Sequence, residues 1–346
     1  MTRRRRWRSG PRGWRCGWRC AEGVGGHFSV EGHLVCRSLC FSSSLSACEL
    51  SASREPEKMS AEVAREERAM RVQFWGVRGS IAVSGERFVQ MGGNTTCVVL
   101  EHEGHHLILD GGTGLKAFGD SLHGKPITAT LVFTHVHWDH IQGLPFFGPA
   151  FHPGSQISVR GVSRDGWHFK DILSLQMAPP TFPVRLNILV GLREIEDFNT
   201  SAPLDCGPFR VWSIEQAHPD GVVVYRVEAG GRSVVFATDV EHGGVPVSDA
   251  FVEFCRGCDL LIHDAQYTAE EYAGQAGPPR KGWGHCMWTE AVEVARRAQV
   301  GRLALFHHDP GRADEAVLAI EREAQALFAG SFAAREGQVV DLAAAP

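Results

Sequence analysis

The stretch Thr134-His135-Val136-His137-Trp138-Asp139-His140 constrains this chain more than any other. It places three imidazoles and a carboxylate within six consecutive positions, directly after the apolar run Ala129-Thr130-Leu131-Val132-Phe133. A β-branched and apolar run ending in a polar cluster reads as a buried strand that opens into a loop. Neutral imidazole and carboxylate are ligands of zinc and related divalent metals. Four such groups this close in the chain cannot all address one ion in good tetrahedral geometry. The spacing therefore predicts two ions side by side, with His135 and His137 on one and Asp139 and His140 on the other. A His-rich surface turn is the plainer reading, and it is weakened by further His and Asp residues at later strand ends.

His-x-His-x-Asp-His after a strand resembles the metallo-β-lactamase superfamily of binuclear metallohydrolases. The resemblance implies three further ligands, a His, a bridging Asp and a final His, each after its own strand. His218 lies in Ala217-His218-Pro219-Asp220, beyond Phe209-Arg210-Val211-Trp212-Ser213-Ile214. Asp239 ends the run Ser233-Val234-Val235-Phe236-Ala237-Thr238, and His307 follows Arg302-Leu303-Ala304-Leu305-Phe306. His308 is a rival for the last place, since a one-residue shift turns a side chain to the opposite face. The family pattern Leu-x-Leu-x-His favours His307. On this resemblance His135, His137 and His218 hold one ion, Asp139, His140 and His307 hold the other, and Asp239 bridges. The resemblance also implies a four-layer αββα sandwich with the metals at one edge, an architecture that periodicity alone would not give.

Two later segments point to a branch. Leu261-Ile262-His263-Asp264-Ala265 resembles the His-Glu-Ala-Thr segment of the tRNA 3′-processing endonucleases (ribonuclease Z-like), with Asp for Glu and Gln266 for Thr. Gly284-His285-Cys286-Met287, ahead of a helix-like stretch from Thr289, resembles that branch's His-Ser-Thr loop, with Cys-Met for Ser-Thr. Phe74-Trp75-Gly76-Val77-Arg78-Gly79-Ser80 and Gly92-Gly93-Asn94-Thr95-Thr96-Cys97 resemble the opening strands of smaller bacterial phosphodiesterase-like relatives. The resemblance runs from about Val72 to about Asp309.

The chemistry follows from these residues. Two divalent ions roughly 3.5–4 Å apart can share a hydroxide and clamp the attacking and leaving oxygens of an in-line displacement. Bound water then ionises near pH 7. Asp139 belongs to this catalytic centre. His285 is the candidate general acid, because imidazole titrates near neutrality; a plain surface-loop histidine is the alternative. His263 and Asp264 are expected to orient a ligand or the His285 loop. Arg78 is expected to meet a substrate phosphate oxygen, the alternative being a structural or solvent-exposed charge.

Charge and composition narrow the partners. Residues 1–20 carry eight Arg and no acid, so the other 326 residues carry a formal charge of −13. An acidic body argues against a broad nucleic-acid surface. The segment Val162–Ser201, where the endonuclease branch carries a basic arm, is apolar and stiff around Met177-Ala178-Pro179-Pro180, and its basic residues are matched by acids. It reads as a pocket wall or lid. A small or cyclic phosphodiester is therefore favoured over tRNA, with a thioester or lactone hydrolase and a non-catalytic metal-bound sensor as the other readings. Zinc is the expected metal, with manganese and iron as alternatives, and a homodimer is compatible with the sequence.

Residues 1–69 mix Arg, Trp, Cys, Gly and Ser without strand or helix period. They read as a disordered extension, or as translation upstream of a start at Met59 or Met70. A lipoprotein-like Leu45-Ser46-Ala47-Cys48 and a metal knuckle from Cys16, Cys20, Cys36 and Cys40 are the alternatives. The hydrolase domain is expected over 70–346. Its cysteines, Cys97, Cys206, Cys255, Cys258 and Cys286, are odd in number and unevenly spaced, which speaks for a reducing cytoplasm rather than a disulfide framework. Cys255-Arg256-Gly257-Cys258 precedes a strand and reads as a helix terminus rather than a redox motif. No apolar run approaches the ~18 residues of a transmembrane helix.

Overall fold

A computed structural model of the chain describes residues 69–343, apart from 165 and 245. The readings of the N-terminal segment, including its start sites, lipoprotein-like site and cysteine knuckle, lie outside the described residues. The strands are β1 (Met70–Gly76), β2 (Cys97–His102), β3 (His105–Leu109), β4 (Thr128–Val132), β5 (Gln156–Gly161), β6 (Leu192–Asp197), β7 (Leu204–Cys206), β8 (Phe209–Gln216), β9 (Val222–Ala229), β10 (Arg232–Ala237), β11 (Leu260–Asp264), β12 (Arg302–Phe306), β13 (Ser331–Ala333) and β14 (Val339–Leu342). They form two seven-stranded sheets, ordered β14-β1-β2-β3-β4-β5-β6 and β13-β12-β11-β10-β9-β8-β7. In each sheet an antiparallel half runs into a parallel half, β3 to β6 in one and β10 to β13 in the other.

Side-chain alternation separates the layers. On β2, Val98 and Leu100 point between the sheets, while Cys97 and Val99 point to the outer face. On β11, Leu260 and Ile262 point inward and Leu261 outward. Both faces of these strands are covered, so the run Leu260-Leu261-Ile262 is apolar without alternation, as buried parallel strands are. Helices Gly114–Ser121 and Phe169–Gln176 cover the first sheet through Leu115, Phe118, Phe169 and Leu173. Helices Asp249–Cys255, Trp288–Arg297 and Asp314–Leu327 cover the second through Phe251, Ala291, Val294 and Ile320. The result is the αββα sandwich.

Two contacts bind the sheets beside the His-rich loop. Tyr225 on β9 donates its hydroxyl to Phe133 O at 2.6 Å, and Val223 N–H donates to Thr134 O at 3.0 Å. Helix Asp249–Cys255 ends at the Cys-x-x-Cys segment, and Cys97, Cys206, Cys255, Cys258 and Cys286 are all buried free thiols. No helix among the described residues is long and apolar enough to cross a membrane.

The segment 162–201 lines a cavity of about 420 Å³ between Lys170, Met177, Leu186, Val190 and Ile195, and so does form a pocket wall. It contains helix Phe169–Gln176 and strand β6, which extends the first sheet at its edge. β6 reads Leu192-Arg193-Glu194-Ile195-Glu196-Asp197, a charged sequence of the kind that protects an exposed edge, which hides the strand from an apolar-run criterion.

Phe74 of β1 reaches across the sandwich, its ring 6.2 Å from Phe306 and 6.3 Å from Phe332 of the opposite sheet. Phe74→Ala is expected to lower unfolding stability by about 3–5 kcal/mol in chemical denaturation, as for truncation of a buried aromatic. A loss under about 1 kcal/mol would show that this contact does not couple the sheets.

Candidate metal centre

The predicted ligands meet because their strands end on one edge. His135 and His137 follow β4, His218 follows β8, Asp239 follows β10 and His307 follows β12. Trp138–Ile141 forms a single helical turn that swings Asp139 and His140 back under His135. Asp239 and His307 have left-handed backbones, with φ of 56° and 59°. Non-glycine residues adopt this conformation rarely, Asp and His more often than most.

Two groups of donors result, His135/His137/His218 and Asp139/His140/Asp239/His307. Asp239 turns one carboxylate oxygen to each. Its Oδ1 lies 3.9 Å from His135 Nε2 and 3.9 Å from His218 Nε2. Its Oδ2 lies 3.2 Å from both His140 Nε2 and His307 Nε2. Asp139 Oδ2 lies 3.3 Å from His140 Nε2 and 3.2 Å from His307 Nε2. His137 offers Nδ1, 3.0 Å from His218 Nε2.

The ring nitrogens facing away from the centre have fixed partners. His140 Nδ1 donates to Asp110 Oδ2 at 2.8 Å, His307 Nδ1 to Gln266 Oε1 at 2.9 Å and His218 Nδ1 to Gly284 O at 2.8 Å. His135 Nδ1 donates to Thr134 Oγ1 at 3.1 Å, and that hydroxyl donates onward to Asp110 at 2.9 Å. These bonds set the tautomers so that bare Nε2 atoms point inward, the arrangement that metal-ligating histidines use. His135 Nε2 and His140 Nε2 are buried polar atoms without a hydrogen-bond partner. Such atoms are costly unless something else satisfies them, and a coordinate bond does so. The donor set therefore fits two divalent cations.

The protonation states differ between the donors: burial disfavours the charged form of His140, but Asp239, Asp139 and Asp110 outweigh it and hold that imidazole well above its ordinary pKa. Burial, reinforced by His140, holds the His135 imidazole well below its ordinary pKa, in the neutral form that ligates. Burial alone would raise Asp239, but His307 and His140 outweigh it and hold the carboxyl well below the usual range.

His285 stands beside this centre, with Nδ1 2.8 Å from Asp264 Oδ2 and 3.8 Å from Asp239 Oδ1. Burial disfavours its charged form, yet Asp264 prevails and raises its pKa to about 9. His263 turns elsewhere: Nδ1 donates to Asp264 O at 2.8 Å, and Nε2 lies 3.3 Å from His242 Nε2. Between the rivals for the last ligand, His307 enters the centre, while His308 Nε2 donates to Ala334 O at 2.9 Å.

Arg78 requires correction. Its side chain is fully buried and its guanidinium is spent on the chain itself, donating to Gly92 O at 2.9 Å, Arg312 O at 2.8 Å and Asp314 Oδ1 at 3.1 Å. No part of it is left for a substrate phosphate. It anchors the loop whose Ser80 N–H donates to Asp139 Oδ2 at 2.7 Å. Gly79 is needed in that loop, because a Cβ there would sit 2.5 Å from the His307 ring.

The orienting roles of Asp110, Thr134, Gln266 and Ser80 are not read from the sequence. Asp110 carried a readable signal, a carboxylate ending the run Leu107-Ile108-Leu109, the same pattern that marks Asp239. Asp110→Asn is expected to weaken metal affinity roughly 10–100-fold in competition with a chelator, with circular dichroism unchanged. Wild-type affinity in that variant would remove Asp110 from the orienting network.

Comparison with known proteins agrees with this geometry. The family described as "Beta-lactamase superfamily domain" matches residues 105–308. The chain is 28% identical over 327 residues to a ribonuclease Z of Natronomonas pharaonis, covering 79% of this chain and 98% of that protein. The crystal structure of the metallo-β-lactamase fold protein YhfI from Bacillus subtilis superposes with a TM-score of 0.60 at 21% identity, covering 79% of this chain and 99% of YhfI. A diphosphatase from the PhnP family superposes with a TM-score of 0.58 at 17% identity, covering 80% of this chain and 98% of that one. Sandwich, strand-end donor residues and family match coincide: the chain belongs to the β-lactamase superfamily and is a hydrolase within it.

Proposed function

We propose that this hydrolase is a binuclear metal-dependent phosphodiesterase acting on a small or cyclic phosphodiester. The observation that carries the reading is the His285–Asp264 pair at 2.8 Å, set against the carboxylate shared by both donor groups. An alkoxide is a poor leaving group and needs a proton as it departs, whereas a thiolate leaves without one. A protonated imidazole held at the centre therefore suits an oxygen leaving group.

His135, His137 and His218 would hold one cation, Asp139, His140 and His307 the other, and Asp239 both; zinc suits this imidazole and carboxylate set. When bound, such ions acidify water and polarise a phosphoryl oxygen. The chain's own residues do the rest. Asp139, held by Ser80 N–H, orients the attacking water. Asp264 is fixed by the N–H groups of Gln266 at 3.1 Å and Cys286 at 3.2 Å, and it holds His285 Nδ1 so that Nε2 carries the transferable proton. Water adds to phosphorus and releases a proton to solvent, the ester P–O bond breaks, His285 Nε2 gives its proton to the departing oxygen, and His285 then takes one back from solvent.

The small-substrate reading rests on the segment 162–201, which packs onto the first sheet as helix and strand, and on the acidic body. A second reading, RNA 3′-end cleavage, is favoured by the similarity to a ribonuclease Z across 98% of that protein. Cleavage of a tRNA precursor in preference to cyclic phosphodiesters would establish it.

His285→Ala is expected to cut turnover of an alkyl phosphodiester by roughly 10²–10⁴-fold. The same change should cost far less with bis(p-nitrophenyl) phosphate, whose leaving group needs little protonation. Asp139→Ala should abolish both activities. Equal losses on the two substrates in His285→Ala would assign His285 to binding rather than to proton transfer, and metal-replete protein inactive on every phosphodiester but active on thioesters would sink the proposal.

A further inference from the structure

His218 differs from the other histidine donors in what orients it. His140 is steadied by the Asp110 carboxylate and His307 by the Gln266 amide. His218 Nδ1 instead donates to a backbone carbonyl, that of Gly284, at 2.8 Å. Gly284 lies in a loop, outside the strands and helices. A loop carbonyl orients a ring only as well as the loop itself is held. Contact between the two is close. Gly284 has a positive φ of 89°, and a Cβ there would sit 2.1 Å from His218 Nδ1.

One residue ties both sides of this contact. The backbone N–H of Glu241 donates to Ala217 O at 3.1 Å, directly before His218 in the chain. Its side chain holds the facing loop: Oε2 accepts Gly284 N–H at 2.8 Å, and Oε1 accepts Gly282 N–H at 2.7 Å and Tyr272 Oη–H at 2.6 Å. Three donors thus converge on one carboxyl group. An amide of the same shape could not replace it, because its NH2 would have to face either Gly284 N–H or the Gly282 and Tyr272 donors. Glu241 belongs to neither group of metal donors. With both oxygens engaged by the loop, it bears on the centre through the setting of His218.

We infer that Glu241 is the positioning residue for His218, and that it thereby sets the affinity for the cation of the His135, His137 and His218 group separately from the other. The inference rests on the two-cation reading of the donor set. The second group has its own supports. His140, His307 and Asp139 are held by Asp110, Gln266 and Ser80 N–H, and none of these shares a hydrogen bond with Glu241. Outer partners of metal-binding histidines act on affinity through the ring they orient, so disturbing one support should be felt at one ion.

The test is zinc titration of the full, metal-stripped chain in competition with a chromophoric chelator, which resolves the affinities of the two ions. Glu241→Gln is expected to weaken one affinity roughly 10–100-fold and to leave the other within about twofold, with circular dichroism unchanged. Gly284→Ala, which sets a methyl against the His218 ring and leaves the carboxyl group in place, should weaken the same affinity. In a His218→Ala background Glu241→Gln should add nothing further, because its effect passes through that ring. A loss that persists in His218→Ala, or that falls equally on both ions, makes Glu241 a general support of the fold and overturns the assignment. Wild-type affinities in Glu241→Gln overturn it too. Failure of the two-cation reading looks different: the wild type itself then takes up fewer than two zinc ions, and the assignment falls with it.

Discussion

The centre depends on one buried carboxylate that is not itself a predicted ligand. Asp264 ends β11, fully enclosed, and gathers separate chain segments onto its two oxygens. Oδ2 accepts from Asp239 N–H at 3.2 Å and from His285 Nδ1 at 2.8 Å, and lies 3.5 Å from His307 Nδ1. Oδ1 accepts from the N–H groups of Gln266 and Cys286. Asp239, whose carboxylate faces both donor groups, and His285 are thus held by a single group, with His307 beside it. A carboxyl enclosed this deeply is compensated because each of its oxygens accepts two hydrogen bonds. The parallel pairing of β10, β11 and β12 makes this possible, since it brings three strand ends level with one another.

Much of this was legible in the sequence, for a physical reason. A ligand at a strand end is preceded by an apolar run that must be buried, so Asp239 and His307 advertise themselves by what comes before them. The family resemblance then supplied what spacing cannot, namely the sandwich and the pairing of ligands across two sheets. The edge elements were less readable. β6 and β7 carry charges on exposed edges, and β13 and β14 are only three and four residues long. Gln266 shows in the sequence only as the residue standing for Thr in the related segment, because its use as a carbonyl acceptor for His307 exists only once β11 and β12 are paired. Arg78 was misread because sequence shows a cation in a glycine turn but not the backbone carbonyls of residues 92 and 312 that enclose it.

The Cys286-Met287 departure from the Ser-Thr of the related loop also becomes intelligible. Cys286 is fully buried, and its thiol donates to Asp264 O at 2.9 Å, while its N–H serves the carboxylate of the same residue. The position asks for a small donor pointing inward, a demand that a thiol meets as a hydroxyl would. Burial raises the thiol well above its ordinary pKa, so it stays protonated and unreactive. The substitution therefore bears on packing beneath His285 and leaves the imidazole's own surroundings intact.

The buried Arg78–Asp314 pair has a consequence for the order in which the molecule is made. Four of the donors lie within residues 135–140, early in the chain, yet the loop that steadies Asp139 is anchored through Arg78 to Arg312 and Asp314. A growing chain on the ribosome can emit the first half of the sandwich with its histidines in place and still lack the clasp that closes around them. The centre is thus a late product of synthesis. His218, Asp239 and His307 join the early donors only once the two sheets have met.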